Sequence, residues 1–154
     1  MMKNPYQNWE RKHIENSHDL AYMVARFIKD SPLIGGGFDT ETTGLHIIKD
    51  KPFLYQFGWL LNDEDYGRVF TFYPTPENMK VFFQLAKKLK YFVGHNIKYD
   101  LHMTTNIGYG KEVQEMDNLV DTMVVARLAL EATTDQPLAL KKLGAQYVHP
   151  DATK

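Results

Sequence analysis

The feature that most constrains this chain is a change of hydrophobic period partway along it. Between residues 52 and 62 the aromatics Phe53, Tyr55, Phe57 and Trp59 alternate with Leu54, Gln56, Gly58 and Leu60, the period of two that belongs to a strand. Further on, Met79, Phe82, Leu85, Ala86 and Leu89 recur at helical spacing. A chain that carries both periods in one stretch buries its apolar faces by packing helices on a sheet.

The other segments extend this pattern. Residues 1–16 are polar and irregular, and Leu20, Met23, Val24, Phe27 and Ile28 then mark one helical face, with Asn16 or Ser17 as its N-cap. "SP" at 31–32 ends that helix, "LIGGGFDTE" at 33–41 reads as a strand, and Thr43 with Gly44 marks a turn. A polar turn at 62–67 leads into "RVFTFYP", so three consecutive strands form an antiparallel meander. After the helix at 79–89, "YFVGH" is a short strand and "IKYDLHMTTNIG" a helix ended by Gly108. "NLVD" reads as another short strand, Leu119, Met123, Ala126 and Leu130 share a helical face, and "PLALKKLGAQYV" opens with proline and forms a last helix. The expected order is helix, three strands, helix, strand, helix, strand, helix, helix. That is an α/β fold with a mixed five-stranded sheet and flanking helices, divided into an N-terminal extension and helix (1–32) and a main domain (33–154).

Composition narrows the chemistry. At 154 residues a single domain buries roughly 68–70% of its unfolded surface, enough for a real core. The 18 basic residues balance 19 acidic ones, for a net charge of −1, so no global positive field draws in nucleic acid and any such partner must be held locally. Absence of cysteine removes disulfides, zinc–thiolate sites and thiol nucleophiles, leaving oxygen and nitrogen as site atoms. No run of 18 or more apolar residues occurs and "MMKNPYQNWERKH" has no signal-peptide core, so a cytoplasmic protein without a membrane partner is expected.

The stretch "GGGFDTETTGL" allows two opposed readings. A glycine-rich anion cradle works through bare N–H groups and usually a lysine, but here Asp39 and Glu41 follow directly. Two apart on a strand, they leave the same face, and like charges so close call for a cation or a proton between them. A solvated strand end is the plain alternative. Asp100 in "VGHNIKYDLHMT" is a third candidate, four beyond Asn96 and on its helical face if the helix starts there. Asn96 could equally be only an N-cap, and Asp100 only a partner of the helix dipole. His95 reads as a hydrogen-bonded or solvated histidine, and Asp121 as a structural hydrogen-bonding residue at a strand-to-helix turn.

In combination, "FDTETTGL", "VGHNIKYDL", "DTMVVARLAL" and "LALKKLGAQY" resemble the proofreading 3′–5′ exonuclease domain of family A DNA polymerases, within the DnaQ-like (DEDD) superfamily. The resemblance runs from about residue 33 to 147 and implies a ribonuclease H-like fold. It further implies two Mg2+ or Mn2+ ions, with Asp39 bridging both, Glu41 on the ion that activates water and Asp100 serving the second. Leu45 would wedge against the terminal base, while Asn96 and Thr42 would line the substrate site. The implied partner is a single-stranded or frayed 3′ end of DNA, which enters such a site more readily because it need not be unstacked first.

The family pattern also requires a fourth carboxylate on a later helix, as YxxxD or HxxxxD. Tyr147 and Asp151 match formally, but Pro150 between them opposes the helix that would align them. The expectation is therefore a domain truncated before its final motif, completed by the remainder of a polymerase in cis or as a separate chain. Competing expectations are an RNA-trimming relative of ribonucleases D and T, and a catalytically incomplete module that binds a strand end or acts as a scaffold.

Overall fold

The computed structural model describes residues 9–30, 35–60, 67–130 and 138–150. Its elements in chain order are β1 (Glu10–Ile14), α1 (Ser17–Asp30), β2 (Gly35–Thr42), β3 (Pro52–Leu60), β4 (Gly67–Phe72), α2 (Pro76–Ala86), β5 (Tyr91–Gly94), α3 (Ile97–Thr104), α4 (Gly110–Gln114), β6 (Leu119–Asp121), α5 (Thr122–Ala129) and α6 (Leu140–Tyr147). They form a mixed α/β fold on one sheet of order β1-β4-β3-β2-β5-β6. The meander holds: β3 runs antiparallel to both β2 and β4, and β5 and β6 then add parallel to β2.

The sheet has six strands where five were expected. The extra one is β1, within the stretch read as irregular, which pairs in parallel with β4 from Glu10 opposite Arg68 to Ile14 opposite Phe72. "ERKHI" has no strand alternation to betray it; partners distant in sequence hold it. Glu10 accepts from Arg26 Nη1 at 3.3 Å and Arg68 Nε at 2.7 Å, joining β1, α1 and β4. Those guanidinium groups, led by the Arg68 hydrogen bond, keep the Glu10 carboxyl below its usual pKa.

Helix ends follow local chemistry. Asn16 Oδ1 accepts the Asp19 N–H at 3.0 Å to cap α1, and Thr75 Oγ1 does the same for Asn78 at the start of α2, with Pro76 in the first turn. Gly108 ends the helix that begins at Ile97, as expected: Ile107 (φ −102°, ψ 15°) and Gly108 (φ 100°, ψ 5°) leave helical geometry, and a separate short helix, α4, follows from Gly110. Residues 31–34, 62–66 and 137, cited above as breaks, turn or strand start, lie outside the described residues.

The core is aromatic and one-sided. On β3, Tyr55, Phe57 and Trp59 are buried and face Thr40 and Phe38 of β2. Three helices cover that face: Phe27 of α1 meets Phe57 and Trp59 edge-on, Phe82 of α2 packs on Phe38 and Phe72, and Thr104 of α3 bonds Tyr55. Gly36 belongs to this face for a steric reason: a Cβ there would lie 2.1 Å from Phe57 Cζ. Its neighbour Gly35 lies against the β5 backbone, where a Cβ would come within 2.8 Å of the Tyr91 carbonyl oxygen. The opposite face carries Gly37, Asp39 and Glu41 beside Gln56 and Gly58, and it is more open to solvent. Helices α5 and α6 contribute no buried residue; Val124, Val125, Leu128 and Tyr147 are exposed.

Candidate active site

The C-terminal end of β2 and the β5-to-α3 junction meet at one edge of the sheet, the place where open sheets with parallel strands gather ligand groups. Period-two alternation sends Asp39 and Glu41 to the open face, as expected. Opposite Asp39 in the register stands Gln56, whose Nε2 donates to Glu41 Oε1 at 3.0 Å. Gln56 thereby orients the second carboxylate. No spacing rule pointed to it, because the register of β2 against β3 is not visible in the sequence.

Asp100 is held from the other side of the strand. Only 4% exposed, it offers Oδ1 to the Thr40 backbone N–H at 3.1 Å and to the Thr40 hydroxyl at 2.5 Å. Burial pushes its pKa up to about 6, the Asp39 charge adds to the rise, and the Thr40 bonds oppose it. The Asp39 pKa is raised as well, first by partial burial of its carboxyl and then by the Glu41 charge, against the Thr40 N–H and His95. Asp39 is thus coupled electrostatically to Glu41 on one side and to Asp100 on the other. Among the described residues no three His, Cys, Asp or Glu side chains are grouped so as to hold one metal ion. Asp39, Glu41 and Asp100 form overlapping pairs rather than a closed ring.

The substrate-side residues fall in different surroundings. Asn96 has left-handed backbone angles (φ 58°, ψ 41°), and its side chain makes no capping bond to α3, which starts at Ile97. A shared helical face with Asp100 is therefore not formed. Its backbone N–H is held instead by Asp121 Oδ1 at 2.9 Å, and the same oxygen accepts the Met123 N–H at 2.9 Å to cap α5. Asp121 is structural, as its position at a strand-to-helix turn suggested. His95 has partners on both ring nitrogens: Nε2 donates to the Leu138 carbonyl at 2.7 Å and Nδ1 lies 3.0 Å from Thr122 Oγ1. Thr42 and Leu45 sit where β2 leaves the sheet. The Thr42 hydroxyl donates to the Gly44 carbonyl at 2.8 Å and the Tyr99 hydroxyl reaches the same carbonyl at 2.9 Å, while Leu45 is 85% exposed. Tyr147 ends α6, and Asp151 lies outside the described residues.

Comparison with known proteins bears on the family and the fold. Residues 12–154 match the family described as 3′–5′ exonuclease, and no curated protein matches the chain. Among solved structures, the fold is similar to Escherichia coli RNase D, an exoribonuclease involved in structured RNA processing (TM-score 0.60, 15% identity, 88% of this chain and 32% of that one). It is also similar to the catalytic core of RRP6 from Trypanosoma brucei (0.59, 17%, 89% and 34%) and to Brucella melitensis NrnC bound to pGG (0.56, 14%, 92% and 61%). The chain spans less than two thirds of the length of each. With residues 12–154 matched and the ribonuclease H-like architecture in place, this chain belongs to the 3′–5′ exonuclease family of DnaQ-like fold.

Proposed function

We propose that the domain removes nucleotides from the 3′ end of single-stranded or frayed DNA, as the proofreading portion of a DNA polymerase, with Asp39, Glu41 and Asp100 as its metal-binding carboxylates. The observation that carries this reading is geometric: Asp39 and Glu41 leave the same open face of β2, and Thr40 between them holds Asp100 against the same strand end, where like charges on neighbouring positions favour a cation. An all-oxygen donor set fits Mg2+ or Mn2+. Bound there, two such ions would supply hydroxide at neutral pH and neutralise charge on the departing 3′ oxygen. The chain's own residues prepare that site: Thr40 holds one oxygen of Asp100, and Gln56 orients Glu41. Leu45 would meet the terminal base and Asn96 and Thr42 would border it, a role in keeping with the exposure of Leu45.

The three carboxylates are one short of the set the family pattern calls for. No fourth carboxylate is assigned among the described residues; supplied in cis or by a separate polymerase chain, it would complete the metal site, and the site without it would bind Mn2+ weakly and degrade single strands slowly. Similarity to RNase D, an exoribonuclease, favours a second reading, 3′ trimming of RNA.

Incubation of the chain with 5′-labelled DNA and RNA oligonucleotides of one sequence, with Mn2+, Mg2+ or EDTA, tests both readings. Slow metal-dependent shortening from the 3′ end, faster on DNA and lost in Asp39→Ala, is expected. Preference for RNA would favour the second reading. Rapid degradation by the isolated chain would show that no fourth carboxylate from elsewhere is needed and return attention to Asp151.

A further inference from the structure

The β2-to-β3 connection exposes aliphatic side chains on a braced loop. Ile47 is 50% and Ile48 79% exposed, yet the loop that carries them is tied down at many points. Asp50 accepts from the Thr43 hydroxyl at 2.9 Å and the His46 backbone N–H at 2.7 Å, and the Ile48 N–H donates to His46 Nδ1 at 3.2 Å. The Thr43 N–H closes the loop by donating to the Lys51 carbonyl at 3.0 Å. From the residues between α3 and α4, Asn106 Nδ2 donates to the carbonyls of Ile47 and Asp50. These bonds hold the loop in a shape that keeps both isoleucines in water.

Its charge is equally one-sided. Asp50, the one acid between Leu45 and Lys51, spends its carboxylate on the loop's own donors, and the His46 N–H and Thr43 hydroxyl lower its pKa. What remains outward is Ile47 and Ile48 with Lys49 and Lys51, all exposed. Aliphatic surface interleaved with cations matches a single strand, whose base faces are apolar and whose backbone is anionic. The loop is also continuous with the carboxylates: it leaves β2 after Thr42, the residue next to Glu41, and Tyr99 anchors its first turn at Gly44.

We infer that this loop is a second contact for the single strand, in which Ile47 and Ile48 receive bases upstream of the terminal nucleotide, Lys49 and Lys51 meet the phosphates, and Asp50 and Asn106 are positioning residues. The inference rests on the 3′-end reading of the site, and it adds a determinant of substrate length that is separate from the metal-binding carboxylates.

The test is binding of 5′-fluorescein-labelled single-stranded oligonucleotides of two to eight nucleotides, followed by anisotropy with Ca2+ in place of Mg2+ or Mn2+. Wild-type affinity is expected to rise with length over the first few nucleotides. In Ile47→Ser/Ile48→Ser affinity for the octamer should fall about ten-fold, the scale of a lost base contact, with dinucleotide affinity unchanged. Asn106→Ala, which keeps both isoleucines, should show a smaller loss of the same length-dependent form with an unaltered far-UV spectrum. Lys49→Ala/Lys51→Ala should lower the salt dependence of octamer binding. Octamer affinity within two-fold of wild type in the isoleucine variant, or an equal loss at every length, would overturn the role of the loop alone. No binding by wild type at any length would overturn the 3′-end reading together with it.

Discussion

Thr40 gives both its backbone N–H and its hydroxyl to a single carboxylate oxygen of Asp100. This joins the strand that carries Asp39 and Glu41 to the helix that carries the third acid, with the charge buried between them. Two donors do not fully offset the loss of water, so the Asp100 pKa settles at about 6 against 3.8 when exposed.

A pH dependence follows. The folded chain holds the Asp100 proton more tightly than the unfolded chain does, so the group favours folding below about pH 4 and this contribution is lost as pH rises through 6. The difference of about two pKa units corresponds to about 3 kcal/mol. Urea unfolding in EDTA at pH 7.5 and 5.0 should show higher stability at the lower pH. Asp100→Asn keeps an oxygen acceptor for Thr40 without the charge, so it should be more stable than wild type at pH 7.5 and show less of this dependence. Equal pH profiles for the two proteins would contradict the assignment.

The neighbouring glycines should differ sharply. Gly36→Ala places a methyl group 2.1 Å from Phe57 Cζ in the packed core and should cost about 3 kcal/mol, the upper range for overpacking. Gly37→Ala points to the open face, where the nearest atom is the Gly58 carbonyl oxygen at 3.9 Å, and should change stability by less than about 1 kcal/mol. Denaturant midpoints measured side by side decide this.

Tyr55 is fully buried, with its hydroxyl 2.8 Å from Thr104 Oγ1. The Thr104 hydroxyl donates to the Asp100 carbonyl, also at 2.8 Å, so its one proton is committed and Tyr55 must donate. Tyr55→Phe should lower stability by about 1 kcal/mol, the net worth of such a bond. Thermal unfolding would detect it, and an unchanged midpoint would mean that the bond contributes nothing.

Asp121→Ala removes the cap of α5 and the anchor of the Asn96 backbone together. A loss of about 1–2 kcal/mol is expected, with faster hydrogen exchange at the Asn96 and Met123 amides in particular. Uniform acceleration across the sheet would instead point to global destabilisation.

Much of the fold and part of the site were legible in the order of residues. The alternation around Tyr55 and Phe57 announced a strand, the spacing of Met79, Phe82 and Leu85 a helix, and the two-residue step from Asp39 to Glu41 a shared face. Each signal lies within a few residues, where strand and helix periods operate. Tertiary structure decided the rest. Strand β1 forms because β4 offers it a ladder and Arg68 a charge partner, not because "ERKHI" favours a strand. Gly36 is required by a Phe57 ring that only the β2–β3 register brings over it, and Gln56 reaches Glu41 through the same register. Asp100 acquires its altered proton affinity from Thr40, Asp39 and burial. These effects depend on partners distant along the chain, and cross-strand register and burial exist only once the sheet has closed against its helices.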